Sequence, residues 1–363
     1  MNREALGLLA TVTAGQSAPR DGEFAARGTP FVRAGSLGDL LAGKPESELE
    51  LVSDDIARLR KLKIFPAGTI LFAKSGMSAT KDRVYALRKP AYVVSHLAAL
   101  IPSENVHGDY LRLALKHFPP STLIKDPAYP SIGLDEIRGY EIPTPEDRDD
   151  QIRIAHLLGK VENLIARRKQ QLAQLDALLK SVFLKMFGDP VRNEKGWDKP
   201  ALRAFGKIST GNTPPRNDPS NYDTSHIEWI KTDNIDADAV YVTAASEHLS
   251  ETGAKRCRTV SAGALLVACI AGSLESIGRA ALTDRKVAFN QQINAIQPAA
   301  DVAPLFLYGL FKLTRRYIQS QASKGMKKIL TKGDFEQITM IKPPFDRQQQ
   351  FALIAERIER TKA

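Results

Sequence analysis

The sequence predicts a mixed α/β (α+β) fold: two copies of one domain joined by long coiled-coil helices and related by a pseudo-twofold axis. Three observations lead there. Five blocks of sequence recur in order at a nearly constant offset. A long heptad-patterned helix fills the middle of the chain. Within each copy, short apolar runs that follow Gly-bearing turns read as buried strands, and longer runs with apolar residues at helical spacing read as helices.

The repeat carries the most weight. "TAGQSAPRD" (13–21) lies over "TGNTPPRND" (210–218), matching Gly15 to Gly211, Pro19 to Pro215 and Arg20 to Arg216. "PFVRAGSL" (30–37) lies over "EWIKTDNI" (228–235), and "PAGTILFA" (66–73) over "SAGALLVA" (261–268). "YVVSHLAALIP" (92–102) lies over "AFNQQINAIQP" (288–298), and "IPTPEDRDDQ" (142–151) over "IKPPFDRQQQ" (341–350). The offset drifts only from 195 to 199. Such a period is far too long for a solenoid, so the chain holds a duplicated domain, each copy followed by a helix. The expected divisions are domain 1 at 1–145, a central spacer helix at 146–188, domain 2 at 189–344 and a short distal helix at 345–363.

Inside the copies, "GTILFA", "GALLVACI", "YVVSHLAAL" and "FNQQINAI" read as strands, while "GDYLRLALKHF" (108–118) and "PLFLYGLFKLTRRYIQSQ" (304–321) read as helices. Pro304 suits a first helical turn. The central helix is expected from about Arg148 to Phe187. Leu158, Val161, Ile165, Arg168, Leu172, Leu175, Leu179, Val182 and Met186 step by three and four without a break, and only Arg168 is polar. Other faces carry Arg167, Lys169, Gln170, Gln171, Gln174 and Asp176. At about 1.5 Å per residue the helix spans on the order of 55 Å. Gly188 is placed for a left-handed C′ residue, and Pro190 blocks continuation. Phe351, Ile354 and Ile358 of the last helix also step by three and four, which makes that helix the natural antiparallel partner of this seam.

Composition narrows the class. With 43% hydrophobic and 25% charged residues the chain can bury a core. The net charge of +10 favours a polyanionic partner, most often nucleic acid. No apolar run approaches the length of a membrane span, and the N-terminus carries no convincing signal peptide. Two cysteines, Cys257 and Cys269, make no disulfide framework and are expected to be small buried residues in a reducing cytoplasm.

At this point the sequence resembles the specificity subunit of Type I restriction-modification systems. The resemblance rests on two copies that each end in "P-x-D-R-x-x-Q" and a helix: "PEDRDDQIRIAHLLGKV" (145–161) and "PFDRQQQFALIAERI" (344–358). It rests also on "KMFGDPVRNEKGWDKPAL" (185–202) and "GKISTGNTPP" (206–215). The resemblance implies a non-catalytic subunit whose two target-recognition domains each read one half of a bipartite site in double-stranded DNA. It implies helices that set the spacer and dock two methyltransferase subunits, with a restriction and translocase subunit completing the complex. No cofactor is expected in this chain; S-adenosylmethionine, ATP and Mg are expected on the partner subunits. One departure stands out. The last helix is less than half as long as the central one, and the chain begins almost directly in the first domain. Either half of the seam faces a partner subunit or the chain is a shortened version.

The alternative is a stand-alone DNA methyltransferase or nuclease with divergent motifs. "IKPPFD" (341–346) is similar to an amino-methyltransferase motif, but Lys342 stands where an amide or carboxylate must hold the target amino group. No Walker motif occurs, and "AGSLESIGRAAL" (271–282) lacks G-x-G-x-x-G. The six histidines (His96, His107, His117, His156, His226, His248) are scattered, whereas a metal site needs clustered ligands.

Phosphate contacts need Lys, Arg and small polar donors, and base reading needs side chains that reach a groove. In domain 2 the candidates are Thr213, Arg216, Lys231, Thr232, Asn234, Asn290, Gln291 and Gln292, with Lys324, Lys327, Lys328 and Lys332 around a phosphate-contacting loop. In domain 1 they are Arg20, Arg33, Lys74, Ser75, Lys81, Arg83, Ser95, His96 and Lys125.

Overall fold

The computed structural model describes residues 2–237, 239–271, 273–323 and 328–362. Its contacts gather into two units, Met1–Arg167 and Arg168–Ala363, so the division falls inside the central helix.

The first unit opens with β1 (Asn2–Ala5), α1 (Leu6–Leu9) and β2 (Ala10–Ala14), followed by β3 (Thr29–Val32), α2 (Ser36–Leu41), β4 (Leu51–Val52) and α3 (Asp54–Leu59). Then come β5 (Ile70–Ala73), β6 (Val84–Ala86), β7 (Tyr92–Val93), β8 (Leu97–Pro102), α4 (Gly108–His117), α5 (Leu134–Gly139) and β9 (Glu141–Thr144). The main sheet is antiparallel in the order β2-β8-β5-β6, and a smaller sheet runs β4-β3-β7 with β3 and β7 parallel. β1 pairs antiparallel with β9.

The main sheet is covered on both faces, which is why "ILFA" shows no alternation of polar residues. Ile70, Phe72, Ala98 and Leu100 pack toward Leu111 and Leu115 of α4 and Ile137 of α5. Their neighbours Leu71, Ala73, Leu97 and Ala99 point the other way, toward Phe31 and Val32 of β3.

The helix α6 (Arg148–Phe187) is 40 residues long. Gly188 follows it with φ +75° and donates its N–H to Leu184 O at 2.8 Å, as the left-handed C′ position requires.

The second unit repeats the pattern. Its strands are β10 (Gly206–Thr210), β11 (Ile227–Ile230) and β12 (His248–Leu249); the helix α7 (Glu251–Lys255) follows. Next are β13 (Thr259–Val260), β14 (Leu265–Ala268), β15 (Ile270–Ala271), β16 (Ala280–Leu282), β17 (Val287–Phe289) and β18 (Ile293–Pro298). α8 (Pro304–Ser320), β19 (Lys328–Ile329), α9 (Lys332–Gln337) and α10 (Phe345–Lys362) complete it. The main sheet runs β10-β18-β14-β16 and the smaller one β12-β11-β17-β13, with β11 and β17 parallel. The duplication read from sequence is therefore a duplication of strand order and direction in the main sheets and in β4-β3-β7 and β12-β11-β17, to which the second unit adds β13.

Two details of the sequence reading change. "FNQQINAI" is not one strand: β17 ends at Phe289, Asn290–Gln292 form a turn, and β18 begins at Ile293. "YVVSHLAAL" breaks in the same way around Ser95 and His96. In each copy a short polar insert between two apolar runs, Ser95–His96 or Asn290–Gln292, marks the turn.

The motif glutamine is a fastener. Gln151 is buried; it accepts from His107 N at 2.8 Å and donates to Pro145 O at 2.9 Å and Asn105 O at 3.3 Å. In the second unit the same work falls to Gln348, which accepts from Ala303 N at 3.1 Å and donates to Pro343 O at 2.8 Å and Asp301 O at 3.3 Å. The motif alignment matches Gln151 with Gln350, which is exposed. The structure matches by helix onset instead, since Gln151 and Gln348 are each the fourth residue of their helix.

The seam also resolves differently. Leu175, Leu179, Val182 and Met186 do pack in the core of the second unit, along with Phe351 and Ile358 of α10, and Leu172 is half-buried. The fully buried side chains are Phe183 and Phe187, which lie off the three-four series. Their rings pack with Phe306 and Phe351, centroid separations running from 5.0 to 5.8 Å. The end of α6 is thus a core helix of the second unit. α10 lies antiparallel to it, with Phe351 against Phe183 and Lys362 against Asp176 at 2.8 Å. In the first unit, Leu158, Val161 and Ile165 are exposed at 43, 45 and 51%, and Ile354 of α10 is exposed at 38%. These four form no buried seam among the described residues, because α10 reaches only as far as Arg168, which donates to Lys362 O.

Candidate nucleic-acid interface

The loop after the first strand of each main sheet organises the candidate surface. Gly15 and Gly211 stand at its start because nothing larger fits. A Cβ on Gly15 would collide with the carbonyl oxygens of Val93 and Val94, and one on Gly211 with those of Phe289 and Asn290. Close backbone approach is the reason for glycine here.

The next residue in each copy is an amide, and it clasps a basic loop. Gln16 donates to Lys61 O at 2.9 Å and accepts from Lys63 N. Asn212 donates to Arg256 O at 2.8 Å and accepts from Arg258 N at 2.9 Å. One side chain thus fixes two backbone groups of "KLK" (61–63) in one unit and of "RCR" (256–258) in the other. Cys257, between the two arginines, is half-exposed rather than buried, with Sγ 3.2 Å from Asn212 O. Cys269 is buried as expected, and burial pushes its thiol up to about 12.

A second constellation is also duplicated. Arg33 lies over Phe24 and Phe31 at 5.3 and 5.9 Å and pairs with Glu50 at 2.5 Å. Lys231 lies over Trp229 at 5.2 Å and pairs with Glu247. Arg216 joins from the loop, over Tyr222 and Trp229 at 4.9 and 4.8 Å, and reaches the other Glu247 oxygen at 2.8 Å. Each unit therefore carries a cation on an aromatic face, tied to one carboxylate. The Lys231 hydrogen bond holds the Glu247 carboxyl below the usual carboxylate range; burial opposes this and Arg216 adds to it.

The remaining candidates divide. Gln291 is exposed on the β17–β18 turn and accepts from the Thr213 hydroxyl. In the matching turn of the first unit, Ser75 Oγ lies 2.8 Å from His96 Nδ1, with Ser95 half-buried beside it. Lys74 and Thr232 are half-buried, and Arg20 and Lys81 are exposed. Arg83 lies against Gly38. Lys125 pairs with Glu136 at 2.5 Å and Lys332 with Glu336 at 3.0 Å.

Asn234 and Asn290 are corrections, being only 9% and 5% exposed. Asn234 donates to Thr243 Oγ1 and Ala244 O and accepts from Lys231 N. Asn290 turns back on Gln292, donating to its Oε1 and accepting from its N–H. Their hydrogen-bonding capacity is spent on loop geometry, so Gln292 and both asparagines shape the surface rather than present it. Lys324 and Lys327 lie outside the described residues, and Lys328 is described through its backbone, which pairs with Ala271 in β15.

Sequence reasoning missed both the clasps and the paired carboxylates. A signal for them exists: "ELVSD" (50–54) lies over "EHLSE" (247–251) at an offset of 197, bringing Glu50 onto Glu247. Among the described residues no group of three or more His, Cys, Asp or Glu is placed to hold a metal ion. Among them, too, no helix is long and apolar enough to cross a membrane.

Two copies of one mixed sheet-and-helix unit, each with a clasped basic loop and a stacked cation, make a double-domain protein with two equivalent basic surfaces. The chain belongs to the family of the Type I restriction modification DNA specificity domain, whose model matches residues 5–177 and again 194–363. It is similar to the Type I restriction enzyme MjaIX specificity subunit of Methanocaldococcus jannaschii, 27% identical over 174 residues, 43% of this chain and 39% of that protein. It is also similar to the HindI specificity subunit of Haemophilus influenzae, 29% identical over 154 residues, 41% of this chain and 32% of that protein. These stretches span well under half the length of either relative. The fold is that of the S subunit of a Type I restriction-modification system from M. genitalium, with a TM-score of 0.65 at 12% identity over 99% of this chain and 90% of that one. A second chain, from a structure concerned with assembly and conformational transition of the type I R-M system, aligns over 99% of this chain and 90% of that one, with a TM-score of 0.50 at 14% identity.

Proposed function

We propose that this chain is the non-catalytic DNA-specificity subunit of a Type I restriction-modification complex, each unit reading one half of a bipartite duplex site. The observation that carries this is the duplication of the surface as well as the scaffold: glycine, amide clasp, basic loop and stacked cation recur in both family domains. Arg33 in one unit, and Arg216 and Lys231 in the other, act on the DNA backbone. Thr213, Gln291, Ser75, Ser95 and His96 sit on the turns that face a groove. Phosphate contacts supply affinity and register, and the turn residues supply sequence preference.

The helix α6 sets the spacing between the half-sites. On its first-unit stretch Leu157, Leu158, Val161, Leu164 and Ile165 are exposed, and methyltransferase subunits dock there. A restriction and translocase subunit completes the complex. S-adenosylmethionine, ATP and Mg belong to those partners, and the complex works in the cytoplasm. The competing methyltransferase reading finds no support at its one motif. Lys342 is tied to Asp301 at 2.7 Å and to Ala204 O at 2.8 Å, and lies over Phe205.

The test is genomic. Mapping methylated adenines in the host with and without this gene should reveal one split motif that disappears on deletion. An unchanged methylation map refutes the reading. Purified chain alone should neither methylate nor cleave DNA, and activity from it would favour the enzyme alternative.

A further inference from the structure

The second unit carries a basic groove. It lies along β10, the edge strand of the main sheet, and has a volume of about 530 Å³. Lys207, Arg258 and Lys332 line it together with Ser209, Thr259 and Ser261, and no carboxylate is among its lining residues. Glu336 touches Lys332 from outside the lining. Among the described residues neither Lys207 nor Arg258 forms an ion pair. Arg258 is nonetheless held in place: Asn212 fixes its backbone N–H, and its guanidinium donates to Thr210 O at 2.5 Å. A cation anchored beside hydroxyls and away from carboxylates is how a protein presents donors to phosphate oxygens.

Strand pairing shows what the first unit has instead. Gly206 pairs with Pro298 as Ala10 pairs with Pro102, so Thr11 corresponds to Lys207. Lys63 holds the place of Arg258 in the clasp. At the first position of the helix before the last strand segment, Leu134 stands where the second unit has Lys332. Two of the three groove cations, Lys207 and Lys332, are therefore peculiar to the second copy.

We propose that this groove binds a run of phosphodiesters of duplex DNA, a sequence-independent contact that seats the second unit and leaves its turn residues free to read bases. Asn212 acts as a positioning residue through the loop it clasps. This rests on the DNA-binding reading above and adds an asymmetry to it: backbone grip is stronger on the second half-site.

The experiment is anisotropy of the full chain with a fluorescent random-sequence duplex across a salt series. Lys207→Ala with Arg258→Ala should weaken binding to every duplex alike. The slope of log affinity against log salt should shrink by about 0.9 for each lost contact. Lys207→Glu serves as a second variant should the first fold poorly, and the thermal transition of each checks folding. A parallel arm with inorganic pyrophosphate separates a free-anion site from a DNA track. Protection of the groove by pyrophosphate without any change in DNA binding overturns the proposal. So does an affinity and salt slope equal to those of the unaltered chain. Failure of the unaltered chain to bind duplex DNA at low salt would instead sink the broader reading.

Discussion

The two units share their strand order, buried glutamine, amide clasp and stacked cation, yet they use α6 in opposite ways. In the second unit its last turns are core: Phe183 and Phe187 are buried among Phe306 and Phe351, and α10 packs alongside. In the first unit only its opening turns are buried, through Gln151 and Ala155, and the apolar residues beyond stay open. In the second unit the end of α6 covers the start of α10, whereas on the first-unit stretch of α6 the apolar residues have no such cover among the described residues.

The largest expected effect tests that contrast directly. Phe183→Ala should cost the second unit about 3–5 kcal/mol, the range for a buried aromatic. Leu164→Ala, on the same helix but exposed, should stay within about 0.5 kcal/mol. Both tryptophans, Trp197 and Trp229, lie in the second unit, so denaturant unfolding followed by tryptophan fluorescence reports Phe183→Ala, while circular dichroism, which sees both units, reports Leu164→Ala. Equal effects from the two variants would mean that the helix is a uniform seam after all.

The next effect separates the two fasteners. Gln348→Ala strands the Ala303 N–H and two carbonyls at a buried site, and about 1–3 kcal/mol is expected. Gln151→Ala should cost a similar amount in the first unit. The tryptophan transition should move for Gln348→Ala and hold for Gln151→Ala, which should show only in circular dichroism. A shift of the tryptophan signal by both would show that the units do not unfold separately.

The scaffold was legible in the sequence because both of its signals are long-range. Five blocks at a steady offset fix a duplicated fold whatever each block does locally, and a run of three-four spacings fixes a helix. What escaped was geometry below that scale. The seam pattern cannot tell a coiled-coil contact from a domain core, and Phe183 and Phe187 step by four rather than in the heptad series. Asn290 reads as a polar residue in a strand, because apolar residues flank the turn it stabilises on both sides. At the candidate surface the cations were visible as residue types, so Arg33, Arg216 and Lys231 stood among the candidates. The carboxylates that hold them were not. Glu50 and Glu247 lie 17 and 16 residues away in the chain from Arg33 and Lys231, and only the strand pairing that brings β4 to β3 and β12 to β11 places them together.

The smallest effect probes that pairing and distinguishes the copies again. Glu247 ties down two cations and Glu50 one, so Glu247→Gln frees more charge than Glu50→Gln. If these cations meet DNA phosphates, Glu247→Gln should raise affinity for duplex DNA about two- to fivefold, an effect of the size usual for surface charge pairs. Glu50→Gln should raise it less. Stability should move the opposite way, because the pair is lost. The sign with pH follows from the lowered carboxyl of Glu247, whose first cause is the Lys231 hydrogen bond. Its contribution is fully present above the ordinary carboxylate pKa and is lost as the pH falls through the lowered folded value. The unaltered chain should therefore be the more stable one at neutral pH, and the gap to Glu247→Gln should close on acidification. A gap that widens in acid would mean that the carboxylate is strained by its partners rather than held by them. Tighter DNA binding with Glu50→Gln than with Glu247→Gln would place the main backbone contact on the first unit.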